Sequence, residues 1–182
     1  MRIETNQDLE RAIDRLTRRD SKSLATFIVT LAQDTGPIGD QVRTFIIGDD
    51  VVETAVSLRE RIRDLRSPTE SENRRRLGQE IGERLEFVLN VVETLVLPVD
   101  PRIAFGLLVR VLEADGQAME NCGDHEFEVS TAFERAAELI GQAAKSMPQA
   151  EVVEALEPLI DDDGYGVRGP LAEVISSRGK DR

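Results

Sequence analysis

Three consecutive carboxylates, Asp161, Asp162 and Asp163, stand beside Gly164, and carboxylates clustered at a glycine turn are what hard cations such as calcium use. Spacing tests this reading. With Gly164 at the glycine position of a calcium-binding loop, the first and last ligand positions fall on Leu159 and Pro170, which carry no carboxylate. With Gly166 there, Asp161 and Asp163 are well placed, but Tyr165 and Ala172 occupy the remaining ligand positions. The segment suits a polar turn instead, in which aspartates favour the next helix start and glycines permit positive φ. Tyr165, the one tyrosine of the chain, is expected to fold inward and staple the last two helices, because a lone aromatic in an aliphatic protein contributes buried area first. The alternative is an outward ring that joins Asp161, Asp163 and Arg168 in a patch for a partner.

Cys122 and His125 have a spacing compatible with a thiolate and imidazole pair, or with half of a zinc site. Neither residue type occurs elsewhere, so tetrahedral zinc would need two carboxylates, and an incidental role is expected. Ser130, His125 and Asp124 can be written as a triad, but closeness in sequence gives it no geometry. Arg59, Arg63 and Arg66 share one helical face, and Arg74, Arg75 and Arg76 follow across a linker. This basic concentration suits an acidic partner or a nucleic-acid phosphate. Glu60, Asp64, Glu70 and Glu72 interleave with it, which favours a solvated surface of mixed charge. No phosphate-cradling glycine loop, dinucleotide fingerprint or metalloprotease helix is present, and no cofactor or metal is expected.

Composition narrows the field further. The 182 residues include 35 acidic and 23 basic side chains, and a net charge of -12 repels phosphate backbones over most of the surface. Nucleic acid is therefore an unfavoured partner. Aromatics make up 4%, with no tryptophan, so base-stacking platforms are scarce. A single cysteine excludes an internal disulfide and fits a reducing compartment. No apolar run approaches the ~18 to 20 residues that span a bilayer, so a cytoplasmic protein with no membrane partner is expected.

The elements that must position these residues read as helices throughout, because apolar residues recur at three- and four-residue steps. Leu9, Ala12, Ile13 and Leu16 form a first stripe; Leu24, Phe27, Ile28 and Leu31 form a second, capped by Ser21 or Ser23. Ile38, Val42, Phe45 and Ile46 make a third. Asp50 caps a helix faced by Val51, Ala55, Leu58, Ile62 and Leu65. The apolar residues from Ile81 to Val96 fall at steps of 4, 3, 1, 3, 3 and 1, which predicts a long central helix. Asp100 and Pro101 open a helix running to Cys122. An alanine-rich helix follows over 129–144, then one from Pro148 that Pro158 should kink or stop, and a last one from Pro170.

The succession Asp100-Pro101-Arg102-Ile103-Ala104, Leu107-Leu108, the polar break at Cys122-Gly123-Asp124, the helix from Ala132 to Ala144, and Asp163-Gly164-Tyr165-Gly166 resembles an uncharacterised bacterial family of helical repeats. That resemblance is strongest over Asp100 to Ile175. It implies an all-α array of stacked helix pairs, an armadillo- or HEAT-like α-solenoid of about nine helices, and no catalytic residues. The expectations are thus a single domain over 1–178, with an internal break at 67–71 and a frayed tail at 179–182. Its function is a protein–protein interaction module for an unidentified protein partner. The alternatives are a nucleic-acid-binding array using the Arg59 to Arg76 face, and an enzyme with a carboxylate-rich metal site near Asp161.

Overall fold

The computed structural model describes residues 11, 14–32, 39, 42, 46, 50–65, 74–122 and 127–178. The expected break at 67–71 and tail at 179–182 lie outside them. All the described elements are helical, and no strand occurs among the described residues. The bounded helices are α1 (Ser21–Ala32), α2 (Val51–Leu65), α3 (Arg74–Val91) with a π-helical turn at Val92–Val96, α4 (Pro101–Leu112), α5 (Asp115–Cys122), α6 (Phe127–Ala144), α7 (Gln149–Asp161) and α8 (Pro170–Arg178).

The chain divides into two compact units, Met1–Ile47 and Gly48–Arg182. The physical basis is the distribution of buried apolar side chains. Among the described residues, those from Ala55 to Leu171 form one core, whereas α1 has no buried residue at all.

In the first unit, residues 14–17 are helical and α1 follows a short turn. Its cap is Asp20 rather than a serine: Oδ1 accepts the Ser23 backbone N–H at 2.8 Å and Oδ2 accepts the Ser23 hydroxyl at 2.6 Å. These bonds hold the Asp20 carboxyl below its ordinary pKa. A depressed carboxylate stabilises the start of α1 at neutral pH and loses that effect as pH falls through the acidic range.

In the second unit the punctuation follows the sequence closely. Asp50 Oδ1 accepts the N–H groups of Val52 and Glu53 at 2.9 and 3.0 Å, and Asp100 Oδ1 accepts those of Arg102 and Ile103, both at 3.0 Å. Pro101 occupies the first helical position, where a missing donor costs nothing. The π turn was not anticipated. Leu97 N–H donates to Val92 C=O at 2.7 Å, and the Thr94 hydroxyl donates to the Asn90 carbonyl at 2.6 Å. Pro98 cannot donate to Thr94, so the helix ends there.

The expected helix from Pro101 to Cys122 is two helices, broken at Glu113 and Ala114. Pro158, in contrast, does not stop α7, which runs on to Asp161. Both Pro158 and Glu154, whose carbonyl loses its donor, are exposed, so water can satisfy that carbonyl.

The hub of the core is α6, which packs on α3, α4, α5 and α8. Ala132, Ala136, Ala137, Ala143 and Ala144 are fully buried and let those neighbours approach. At Gly141 the approach is close, since a Cβ there would lie 3.2 Å from Cγ2 of Val174 on α8. Gly141→Leu is expected to destabilise the second unit by about 1 to 3 kcal/mol through overpacking. Urea unfolding that matches wild type would show that α8 does not press on α6.

Candidate functional site

In the turn from Asp161 to Gly169, Arg168 does not join the outward patch considered above. Arg168 is only 5% exposed, and its partner Asp115 only 3%. Arg168 Nε donates to Asp115 Oδ2 at 2.7 Å and Nη2 to Oδ1 at 2.6 Å, a two-point fork. The remaining guanidinium donors go to the carbonyls of Leu112 at 3.0 Å, Leu159 at 2.9 Å and Asp162 at 3.2 Å. All five N–H groups are therefore used inside the protein. Arg168, expected to face a partner, instead clips the C-terminal carbonyls of α4 and α7 to the start of α5. A cation belongs at helix C-termini and an aspartate at a helix start, so both helix-end fields favour this placement.

Around that clip, Asp161 and Asp162 point to solvent and Asp163 is half-buried. Asp163 Oδ2 accepts the Arg168 backbone N–H at 3.2 Å, and its buried Oδ1 has no partner. Among the described residues no group of three or more His, Cys, Asp or Glu side chains converges to hold a metal ion. Gly166 has φ of 73°, the left-handed region that glycine enters without strain.

Tyr165 is 42% exposed, so the inward staple is corrected: the buried arginine, not the tyrosine, ties this turn down. Tyr165→Ala is accordingly expected to change stability by less than about 0.5 kcal/mol, as for other exposed substitutions. A melting shift of several degrees would restore the staple. Cys122 is buried, with Sγ 3.6 Å from the Met119 carbonyl. His125 and Asp124 lie outside the described residues.

The basic face is partly described. Arg66 lies outside the described residues, and Arg74, Arg75 and Arg76 open α3, with their side chains outside them. Arg59 and Arg63 are exposed on α2, one turn apart, and with Arg110 of α4 they line a concavity of about 210 Å³ completed by Glu60 and Ile62. Arg63 and Arg110 each stand in the last turn of their helix, where the macrodipole favours a cation. Arg110 escaped the sequence reading because it is remote in sequence from the others. Between them Arg61 turns away, its guanidinium 4.9 Å from the centroid of the Phe87 ring.

A second charged cluster sits beside the π turn. Arg135 of α6 donates to Glu86, Asn90 and Glu93, the Asn90 contact at 2.8 Å and the Glu93 contact at 2.5 Å. Burial acts to lower the Arg135 pKa, but the Glu93 and Glu86 carboxylates outweigh it and raise it. The cluster is therefore a satisfied brace between α3 and α6.

α1 leaves large apolar side chains open to solvent. Its sequence SKSLATFIVTLA carries one charge, yet Phe27 is 59% exposed and Val29 53%. On α2, Val52 and Val56 are also exposed, one turn apart. No helix among the described residues is long and apolar enough to cross a membrane.

No family model, curated protein or solved structure matches the chain.

Proposed function

We propose that this chain is a non-enzymatic protein–protein interaction module, and that α1 is its principal contact element. The observation that carries the reading is the exposure of α1. An apolar helix with no buried residue, on which Phe27 is 59% and Val29 53% exposed while Leu24, Ile28 and Leu31 are half-buried, leaves apolar surface open to association. Leu24, Phe27, Ile28 and Leu31 fall at the spacing with which a helix enters an apolar groove, so the partner is a protein that presents such a groove.

The array of stacked helix pairs belongs to the same proposal. Its support is that α2 packs on α3 and α7 on α8, each with its neighbour in sequence. The packing of α6 back onto α3 departs from a strictly nearest-neighbour solenoid.

Capture of the tagged protein from native lysate at moderate salt, with a nuclease-treated control, tests the functional reading. A reproducible protein partner that survives nuclease is the expected result. Recovery of nucleic acid alone, or loss of every partner on nuclease treatment, would contradict it.

A further inference from the structure

The sequence contains two Asp-Gly pairs, Asp115-Gly116 and Asp163-Gly164. In such a pair the next backbone nitrogen can attack the aspartate's own carboxyl carbon, because glycine puts no side chain in the way. The structure holds the two pairs differently. Asp115 is 3% exposed in the first turn of α5, where Arg168 grips both its oxygens at 2.6 and 2.7 Å and the Gly116 N–H donates to Oδ1 at 2.5 Å. That carboxyl group cannot turn, and the Gly116 nitrogen is fixed within a helix. Asp163 lies between α7 and α8, outside any helix, and Gly164 is exposed. One bond holds the Asp163 carboxyl, from the Arg168 backbone N–H to Oδ2 at 3.2 Å, the long end of the usual range, and Oδ1 is buried without a partner. An unpartnered buried acceptor is costly, so this carboxyl loses little by rotating. The Gly164 N–H donates to the Asp162 carbonyl at 3.0 Å, a bond across a single residue that a turn releases more readily than a helix releases its ladder. Beyond the chain neighbours, nothing lies within 4 Å of where a Cβ on Gly164 would stand, so a ring has room to close. Gly116 has the same room, and the grip on the carboxyl is what separates the two sites.

We propose that Asp163-Gly164 is a site of spontaneous backbone modification, at which aspartate isomerises to isoaspartate, and that the change loosens the turn tied down by Arg168. The Gly164 nitrogen attacks Cγ of the protonated Asp163 carboxyl. The N–Cγ bond forms, the Cγ–OH bond breaks, and the hydroxyl leaves with the amide proton as one water. One water then opens the five-membered succinimide. Opening at Cγ restores aspartate; opening at the former backbone carbonyl carbon leaves isoaspartate, with the chain running through Cγ, so no mass is gained or lost and no other reactant is needed. The product has a longer backbone between Asp162, whose carbonyl Arg168 holds, and Arg168 itself, and it displaces the carboxyl oxygen that accepts the Arg168 N–H. The modification therefore acts on the turn whose buried arginine joins α4, α5 and α7.

The test ages the folded full chain in mildly acidic buffer and maps isoaspartate by peptide, using labelled methyl transfer from an isoaspartate-specific carboxyl methyltransferase as the probe. Isoaspartate is expected at Asp163 at least about tenfold ahead of Asp115, which reacts only when its clip opens. Gly164→Ala crowds the attacking nitrogen with a methyl group. Gly164 is exposed and its backbone lies outside the left-handed region, so that variant should fold and melt as fresh wild type while forming less isoaspartate. Aged wild type should melt below fresh wild type, and the variant aged beside it should keep its melting temperature. Isoaspartate at neither pair, equal amounts at both, more at Asp115, unchanged formation in Gly164→Ala, or an aged wild-type chain that melts as the fresh one does would each overturn the proposal.

Discussion

Arg168→Ala is expected to destabilise the second unit by about 3 to 5 kcal/mol in urea unfolding, because it leaves the Asp115 carboxylate buried without its partner. The same change abandons the carbonyls of Leu112, Leu159 and Asp162, where α4 and α7 end. Both losses act at one place, where three helix termini meet, and buried acceptors without donors are costly. Asp115→Ala should be destabilising for the converse reason, since it strands the guanidinium. The two substitutions should not add. In the double variant neither charge remains buried, so the combined loss should be smaller than the sum of the singles by a coupling of at least about 1 kcal/mol. Additive effects, or an Arg168→Ala variant that unfolds like wild type, would show that the clip does not hold these helices.

Leu89→Asp is expected to abolish cooperative folding of the second unit. Leu89 is 0% exposed on the buried stripe of α3, a helix that packs on the hub helix α6. Removing a buried leucine side chain already costs about 2 to 5 kcal/mol. An aspartate adds the transfer of a carboxylate into an apolar site without a counter-charge, and the total rivals the ~5 to 15 kcal/mol that stabilises a typical domain. Circular dichroism should show reduced helicity and no cooperative thermal transition. Wild-type melting would mean that the stripe from Ile81 to Val96 does not face the core.

What the sequence made legible was local. Asp50, Asp100 and Pro101 announced their helix starts because a cap acts within three residues of itself, and the stripe of α3 showed because helical periodicity is a short-range signal. The features that escaped depend on residues distant in sequence. Arg168 looked like a surface cation until Asp115, 53 residues earlier, was brought against it. With that pair in place the turn needs no aromatic staple, so Tyr165 is left outside. The break at Glu113 and Ala114 is likewise tied to Asp115, which starts a new helix at the clip rather than continuing α4. The long alanine-rich helix α6, not the longer apolar stripe of α3, became the hub because its buried alanines let several neighbours approach at once. The apolar stripe of α1 was read correctly as a pattern, but a stripe does not state that its own chain will cover it. Arg110 joined Arg59 and Arg63 only through the packing of α4 on α2.

The decisive measurement is a paired capture experiment with the wild-type chain and a Phe27→Asp, Val29→Asp variant, under nuclease treatment and with melting curves for both proteins. These two residues are 59% and 53% exposed, so the variant should melt as wild type does while losing the protein partner that wild type retains. Retention of the same partner by a variant with unchanged melting would contradict α1 as the contact element. A variant that unfolds would instead place Phe27 and Val29 in a core, against the exposure on which the interaction reading stands.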